Sequence, residues 1–316
     1  MADLHVVFGT GPLGRATVEA LLERGLRVRW VSRSGRAAEV PPDVELRAAD
    51  ATDPAQARAA TEGAAVVYNC TNAPYTTHGF AVELPRLFGG ILDAADAAGA
   101  RLVVGDNLYA LDEGPQPIRE SGPEAPTTRK GRARKVVSDA MLDAHREGRL
   151  PVVLVRGSDF FGPWATEQSH LGSRVVPPLL KGKPALVIGG LDQPHTFTYV
   201  LDFGRALATL GGADASAYGR AWHVPNAPAE TRREVLERIA REAGSALTIR
   251  QLGPVMRRVL GLFMPPLREM EEMMYQADRP YVIDASDFTS TFGVEATPLD
   301  VSVPETVDWF RSHPDA

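Results

Sequence analysis

The first half of the chain alternates between short apolar runs and longer amphipathic segments. An apolar run, LHVVFG, is followed by a glycine turn and by RATVEALLERG, in which Val18, Leu21 and Leu22 recur at helical spacing. The alternation continues through strands RVRWVSR, VELRAAD, AAVVYNC, RLVVGD and PVVLVRG and through helices QARAATEG, FGGILDAADAAG and RKVVSDAMLDAHREG. Because parallel strands need crossover connections, we predict an α/β fold with a doubly wound, mostly parallel sheet.

The bulk composition is that of an ordinary globular protein: of 316 residues, 44% are hydrophobic and 23% are charged. No apolar run approaches the roughly 18 residues of a membrane span. The start, MADLHVVFGTG, lacks the pattern of an export signal, so we expect a cytoplasmic protein with no membrane partner. A net charge of -6 gives no footprint for nucleic acid. A single cysteine and seven scattered histidines predict no metal site.

Three glycines, Gly9, Gly11 and Gly14, form G-x-G-x-x-G between the first predicted strand and helix. In this context the first glycine makes a tight turn, the second lets backbone approach a pyrophosphate, and the third lets helix and strand pack closely. The helix N-terminus then faces the negative charge of the ligand. We therefore predict a dinucleotide-binding Rossmann unit, the alternative being a glycine turn without a ligand.

The end of the second strand indicates which dinucleotide is bound. NAD binders carry an acidic residue there for the ribose hydroxyls, but this stretch reads WVSRSGR. Ser32, Arg33 and Arg36 are suited to a 2′-phosphate, so we predict NADP(H), with NAD(H) as the alternative and merely solvated arginines as the other interpretation. Asp50 fits an adenine contact or a turn equally well. The predicted cofactor contacts are Gly9, Thr10, Gly11, Pro12, Leu13, Gly14, Ser32, Arg33, Arg36, Asp50, Cys70, Thr71, Asn72 and Lys130.

The helical and strand pattern loosens after Gly162, where Pro and Gly become frequent. Periodicity returns in YVLDFGRALATLG and TRREVLERIAREAG. We predict a dinucleotide-binding domain over residues 1–163, rejoined by about 194–224, and a smaller C-terminal substrate lobe from 164–193 and 225–316.

The order of motifs resembles the extended short-chain dehydrogenase/reductase superfamily, in its NAD-dependent epimerase/dehydratase branch. Besides the glycine motif, the resemblance rests on DATD, VVYNCTN, VVGDNLYAL, VRGSDFFGP, HTFTYVLDFGRAL and TPLDVSVPETVDWFR. It implies a nicotinamide-dependent enzyme and a homodimer formed through the helices that contain LFGGILDAADAAG and ARKVVSDAMLDAH.

In that family a Ser or Thr, a Tyr and a Lys carry the chemistry, and this sequence departs at all three positions. The resemblance places Gly105, Lys130 and Arg134 there, and no Tyr-x-x-x-Lys occurs anywhere in the chain. Lys130 is the first candidate for a proton donor, because a desolvated lysine near other cations can exchange protons near neutrality. Tyr109 is the second candidate, and Asn107, which also follows the fifth strand, is a third candidate for the catalytic set. The alternatives are a phosphate or ribose contact for Lys130 and a core ring for Tyr109.

The segments that return to the edge of the sheet contain candidate substrate-binding residues. His195 lies in QPHTFTYV, and histidine titrates near neutral pH, although a structural role is the other interpretation. The predicted substrate contacts are Tyr75, Asp159, Phe160, Phe161, His195 and Tyr199.

Three functions are compatible with these residues. The first is an NADP(H)-dependent oxidoreductase that reduces a carbonyl or activated double bond of a small, partly apolar substrate. The second is an epimerase or dehydratase that oxidises and re-reduces its substrate, although it suffers most from the absence of Tyr and Lys. The third is an NADP(H)-binding sensor without catalysis.

Overall fold

The computed structural model describes residues 3–111 and 116–315. The chain forms two compact units. Unit 1 comprises Met1–Asp112, Glu124–Gly157 and Phe203–Val224, and unit 2 comprises Glu113–Pro123, Ser158–Asp202 and Pro225–Ala316. The second segment of unit 1 ends at Gly157, a few residues before position 163, where we predicted the first part of the dinucleotide-binding domain to end. Substrate binding by the C-terminal lobe stays a prediction.

Unit 1 is built on a seven-stranded sheet in which every pair of neighbours is parallel. Its strands are β1 (Leu4–Phe8), β2 (Arg27–Ser32), β3 (Glu45–Ala48), β4 (Ala64–Asn69), β5 (Arg101–Asn107), β6 (Val152–Gly157) and β11 (Ala221–His223). The order across the sheet is β11-β6-β5-β4-β1-β2-β3. This is the strand order of a Rossmann fold with one strand added beyond β6, and it confirms the predicted doubly wound sheet.

Helices provide the connections between the parallel strands, except between β2 and β3, where residues 33–44 contain no helix. They are α1 (Pro12–Leu22), α2 (Pro54–Thr61), α3 (Leu84–Ala97), α4 (Arg129–Arg146) and α6 (Val200–Gly211), with a π-helical segment at Gly79–Glu83 and a 3₁₀ turn at Ala215–Ala217. All five residues of β1 are buried, since a central parallel strand is covered on both faces. Each predicted strand and helix of this half of the chain is present, with its ends shifted by a few residues.

Unit 2 contains three two-stranded sheets and most of the remaining helices. The strands pair as β7 (Phe160–Phe161) with β10 (Thr198–Tyr199), β9 (Pro194–His195) with β12 (Glu230–Thr231), and β8 (Ala185–Ile188) with β13 (Ile249–Leu252). The helices are α5 (Val176–Leu180), α7 (Arg232–Glu242), α8 (Pro254–Gly261), α9 (Pro265–Glu271), α10 (Tyr275–Asp278), α11 (Ser286–Phe292) and α12 (Leu299–Ser312). Apolar residues of α5, α7 and α12 form its largest hydrophobic core.

Within the described part of the chain, none of the helices has both the length and the apolar character needed to cross a bilayer. The same residues include no group of three or more His, Cys, Asp or Glu side chains that could hold a metal ion.

Candidate functional site

The glycine turn, residues 9–14, connects β1 to α1 in unit 1. Gly9 has a φ of 104°, and a Cβ atom there would lie 2.6 Å from the carbonyl oxygen of Cys70. A Cβ atom on Gly14 would lie 1.9 Å from the carbonyl oxygen of Gly9. At Gly11, by contrast, a Cβ atom would meet no atom within 4 Å. Packing of the turn itself therefore requires the first and third glycines, whereas the space beside Gly11 is open.

The N-terminus of α1 lies directly at this open space. Gly11 is the extended N-cap residue, Pro12 occupies the first helical position, and no side chain caps the helix. The first amide groups of a helix lack partners within the helix and carry partial positive charge, which favours an anion. Thr10 and Leu13, the other predicted contacts of the turn, are half-buried beside it. This geometry fits the pyrophosphate of a dinucleotide.

The loop after β2 holds the residues predicted to contact a 2′-phosphate. The Ser32 hydroxyl bonds the backbone of Arg36 in both directions, donating to its carbonyl at 3.1 Å and accepting from its N–H at 3.2 Å. Both Arg33 and Arg36 are exposed. Arg15, in the first turn of α1, donates to the carbonyl oxygens of Ala38 and Glu39 and ties this loop to the glycine turn. The two exposed cations therefore lie in a loop that is hydrogen-bonded to α1.

The side chain of Asp50 forms local hydrogen bonds of the kind that stabilise a turn. Its Oδ1 accepts from the N–H and the hydroxyl of Thr52, at 2.9 and 2.8 Å. These bonds lower the pKa of Asp50, and Arg33 contributes to the same shift. The turn interpretation of this residue thus has direct structural support.

The turn after β4 holds the predicted contacts Cys70, Thr71 and Asn72. Asn69 accepts from the hydroxyl of Thr71 at 2.6 Å, and Asn72 accepts from the N–H of Ala73 at 3.0 Å. Burial raises the pKa of Cys70 to about 12, so it is a neutral thiol at physiological pH. The side chains of Asn69 and Asn72 therefore stabilise the backbone of this turn. Because its thiol is not ionised, Cys70 has no nucleophilic character.

Lys130 lies in the first turn of α4, which begins after the N-cap Thr128, and its side chain is fully buried. Its Nζ lies 5.1 Å from the centroid of the Tyr75 ring, a cation-π arrangement. Tyr75 contacts Phe80 edge-on at 5.7 Å, and Phe80 stacks on Tyr109 at 6.2 Å. Three predicted residues, Lys130, Tyr75 and Tyr109, thus belong to one cluster, which we call the Lys130 cluster.

Asn107 ends β5 and supports the backbone of the same cluster. Its Oδ1 accepts from the N–H of Tyr109 at 3.1 Å. A Cβ atom on Gly131 would lie 2.6 Å from the carbonyl oxygen of Tyr109, so α4 packs closely on this loop. The contacts of Asn107 make it a positioning residue for Tyr109.

Arg134, which the resemblance places at the family's lysine position, has a different task. It is buried and donates from Nε to Asp106 and from Nη2 to the carbonyl of Gly105 at 3.2 Å. Asp106 also accepts from the hydroxyl of Ser138 at 3.1 Å and from Nε of Arg156 at 3.2 Å. We call the side chains of Asp106, Arg134, Ser138 and Arg156 the Asp106 network. Within it, the guanidinium group of Arg134 forms a buried ion pair with Asp106.

The charge state of the Asp106 network follows from these contacts. Burial opposes ionisation of Asp106, but Arg134 and Arg156 outweigh it, so the pKa of Asp106 lies below its usual value. A second carboxylate, Glu124, lies 2.7 Å from Nη1 of Arg156. The two buried arginines are thus balanced by two carboxylates.

Gly105, which the resemblance places at the family's serine position, lies where a side chain would clash. A Cβ atom there would lie 2.6 Å from Cδ2 of Leu13, which projects from the glycine turn. Any larger residue at this position would displace Leu13. The absence of a side chain at position 105 therefore matches the presence of Leu13 within the glycine motif.

In unit 2 the structure brings two predicted substrate residues together. Nε2 of His195 lies 3.1 Å from Oδ2 of Asp159, and Nδ1 lies 3.0 Å from the carbonyl oxygen of Gln276. The imidazole ring packs between Phe197 and Tyr281, at centroid distances of 4.5 and 5.5 Å. The imidazole of His195 is therefore held in a buried aromatic environment, and one of its nitrogens faces the carboxylate of Asp159.

The remaining predicted substrate residues lie in different surroundings. Phe161 and Tyr199 are buried in the hydrophobic core of unit 2, 5.5 Å apart, and the Tyr199 hydroxyl donates to Glu305. Phe160, which precedes Phe161 in β7, is half-buried. The structure thus gives Phe161 and Tyr199 core positions.

Sequence reasoning missed Asp106, Arg156 and Arg232, three buried charged residues. A signal existed for the first two, because each is a charge inside an apolar strand, RLVVGDN or PVVLVRG. Asp106 and Arg156 are direct partners in the register of β5 and β6. For Arg232, in TRREVLER, the sequence offers no signal that distinguishes it from its exposed neighbours.

Comparison with known proteins agrees with this geometry. Residues 6–224 match the model of the NAD dependent epimerase/dehydratase family. No curated protein matches the chain in sequence.

Solved structures match over nearly the whole chain. The UDP-glucuronic acid 4-epimerase from Bacillus cereus, in complex with NAD, is similar with a TM-score of 0.80 at 15% identity, covering 99% of this chain and 100% of that chain. The UDP-glucose 4-epimerase from Thermus thermophilus, in complex with NAD, has a TM-score of 0.76 at 20% identity, covering 98% and 99%. The dTDP-glucose 4,6-dehydratase from Bacillus anthracis str. Ames, in complex with NAD, has a TM-score of 0.80 at 16% identity, covering 98% and 97%.

At these identities the structural matches show the fold, while the family model shows descent. The chain belongs to the NAD dependent epimerase/dehydratase family, as its motifs indicated, and is an NAD(P)-dependent enzyme of the short-chain dehydrogenase/reductase type.

Proposed function

We propose that this chain is an NADP(H)-dependent oxidoreductase that reduces a carbonyl or activated double bond of a small molecule. The observation that carries the proposal is the fully buried Lys130 at the start of α4, where the family resemblance expects a proton-exchanging tyrosine. Its ammonium group faces the ring of Tyr75. Lys130 therefore offers a proton source shielded from water.

The residues of the glycine turn fit the cofactor. The open space at Gly11 and the uncapped N-terminus of α1 suit a pyrophosphate. The exposed Arg33 and Arg36 suit a 2′-phosphate, and β2 ends without a carboxylate. NAD(H) is the alternative, because the three similar structures named above are complexes with NAD.

A bound nicotinamide would supply the hydride, and this chain would supply the proton. Lys130 holds a proton at Nζ and donates it to the substrate oxygen, or to carbon when a double bond is reduced. Tyr75 holds the ammonium in place through its ring face. Asn107 fixes the loop that carries Tyr109, the second candidate donor.

Substitution of Lys130 by Met tests this assignment. We expect kcat to fall by about 10²- to 10⁴-fold on any carbonyl substrate found in a panel monitored by NADPH consumption. Lys135→Met is the matched control, since Lys135 lies on the same helix in ion pairs with Glu124 and Asp139 and should keep the wild-type rate. A Lys130→Met enzyme with full activity would overturn the assignment.

A nucleotide-sugar epimerase or dehydratase is the second candidate, and the family match is the observation that favours it. Such an enzyme would retain its dinucleotide on purification and convert its substrate without net NADPH consumption.

A further inference from the structure

Arg232, the first residue of α7, is a buried cation in which two of the three guanidinium nitrogens have no hydrogen-bond partner among the described residues. Its side chain is 2% exposed. Nη1 donates to the carbonyl oxygen of Ile188 at 2.8 Å. Nε and Nη2 are both buried and have no hydrogen-bond partner among the described residues. Buried donors without partners are costly, so this edge of the guanidinium is suited to receive an acceptor.

The Nε and Nη2 groups lie on the same edge of the planar guanidinium. That edge presents two parallel N–H groups, which match the two oxygens of a carboxylate. Arg238, farther along α7, uses the same edge in this way: Nε and Nη2 donate to the two carboxylate oxygens of Glu230, at 2.8 and 2.6 Å. At Arg232 the corresponding fork lacks a carboxylate partner among the described residues.

Charged groups of both signs act on Arg232. Burial lowers the pKa of Arg232; Asp159 and Asp278 oppose this shift, and Arg174 adds to it. Asp278 is already paired with Arg257 at 2.8 Å, and Asp159 lies against His195 at 3.1 Å.

A nearby histidine adds no charge. Burial lowers the pKa of His170 to about 4, so it is neutral at physiological pH. The geometry of the Nε–Nη2 edge therefore selects the ligand, and two parallel N–H groups match the two oxygens of a carboxylate.

Solvent reaches this part of unit 2. The Asp159 side chain is 20% exposed, and both His170 and Arg174 are half-buried. Solvent therefore reaches side chains whose charges act on Arg232, although Arg232 itself is hidden.

We propose that the Nε–Nη2 edge of Arg232 is a binding site for the carboxylate group of a small molecule. The site lies within unit 2 and goes beyond the proposed function. The partner of Arg232 is then a planar monoanion.

Titration of the full-length protein with acetate tests this proposal, and acetamide serves as the uncharged probe of the same shape. We expect acetate to shift the Nε–H resonance of Arg232 in nitrogen-15 NMR spectra, and acetamide to leave it unchanged. Arg232→Lys keeps the charge but loses the fork, so acetate affinity should fall by about tenfold. Arg238→Lys, which alters an occupied fork on the same helix, should leave acetate affinity unchanged.

Three results would overturn the proposal: no shift of the Arg232 resonance with acetate, equal effects of acetate and acetamide, or tighter binding of inorganic phosphate than of acetate. The wild-type spectrum decides the matter even if the Arg232 variant does not fold. NADPH binding, measured on the same samples, separates the two claims. A protein that binds NADPH but not acetate refutes the carboxylate site alone, while one that fails to bind NADPH refutes the proposed function.

Discussion

The glycine turn and the first turn of α4 belong to the same unit, yet they have diverged to different degrees from the family pattern. In the glycine turn, Gly9 and Gly14 are required by backbone contacts, and Gly11 leaves open space. At α4 the resemblance places Lys130 and Arg134 at the family's Tyr and Lys positions, where Lys130 faces the Tyr75 ring and Arg134 pairs with Asp106. Dinucleotide binding depends mainly on backbone geometry, whereas proton transfer depends on side chains that can be exchanged individually.

The difference also shows that the two regions are coupled. Leu13, within the glycine motif, occupies the space that a side chain at position 105 would need. Arg134 donates to the carbonyl of Gly105 and to Asp106. Gly105 therefore lies between the packing of Leu13 and the buried charges of the Asp106 network.

Asp106→Asn would break that network most severely. Removing one partner from a buried group of ion pairs costs about 3–5 kcal/mol of unfolding free energy. We expect a loss of this order at pH 7 by denaturant unfolding. Asp93→Asn is the matched control, because Asp93 pairs with Arg149 on the surface and should have little effect.

The same variant has a defined pH dependence. The pKa of Asp106 is lowered in the folded protein, so its contribution is present above the unfolded-state pKa of about 4 and is lost as pH falls through the folded value. The stability gap between wild type and Asp106→Asn should therefore narrow at acidic pH. A constant gap between pH 7 and pH 3 would contradict an ionised Asp106.

Gly105→Ser would test the link between the two turns. The new side chain must displace Leu13, which we expect to cost about 1 kcal/mol of stability. Leu13→Ala in the same chain removes the obstructing atom, so Gly105→Ser should cost less in that background. Equal costs in both backgrounds, measured in a double-mutant cycle, would disprove the steric explanation.

The loop after β2 allows a test of which dinucleotide the glycine turn binds. Arg33→Ala should weaken NADPH binding by about tenfold through the loss of a charge-assisted contact, while NADH binding stays unchanged. Arg58→Ala, an exposed arginine on α2, is the control. Parallel fluorescence titrations would refute the NADP(H) preference if wild type bound both dinucleotides equally.

The strands and helices of unit 1 could be predicted because they are local features. Apolar runs such as LHVVFG and AAVVYNC, separated by amphipathic segments, sufficed for β1, β4 and their neighbours. The glycine turn could also be located, since its spacing, strand and helix all lie within a short stretch of sequence.

The charged interior could not be predicted because its partners are distant in sequence. Asp106 meets Arg134 across 28 residues and Arg156 across 50. Only the register of β5 and β6 makes Asp106 and Arg156 neighbours. In unit 2 the carboxylate of Asp159 reaches His195 through the fold of short strands that the sequence pattern did not predict.

The most direct test of the central claim is a titration of Gly11→Ala with NADPH. A methyl group at this position touches no protein atom, so the variant should unfold at the wild-type denaturant concentration. If the backbone at Gly11 contacts the pyrophosphate, NADPH affinity should nevertheless fall by about tenfold or more. Wild-type affinity in a fully folded Gly11→Ala protein would contradict dinucleotide binding at the glycine turn.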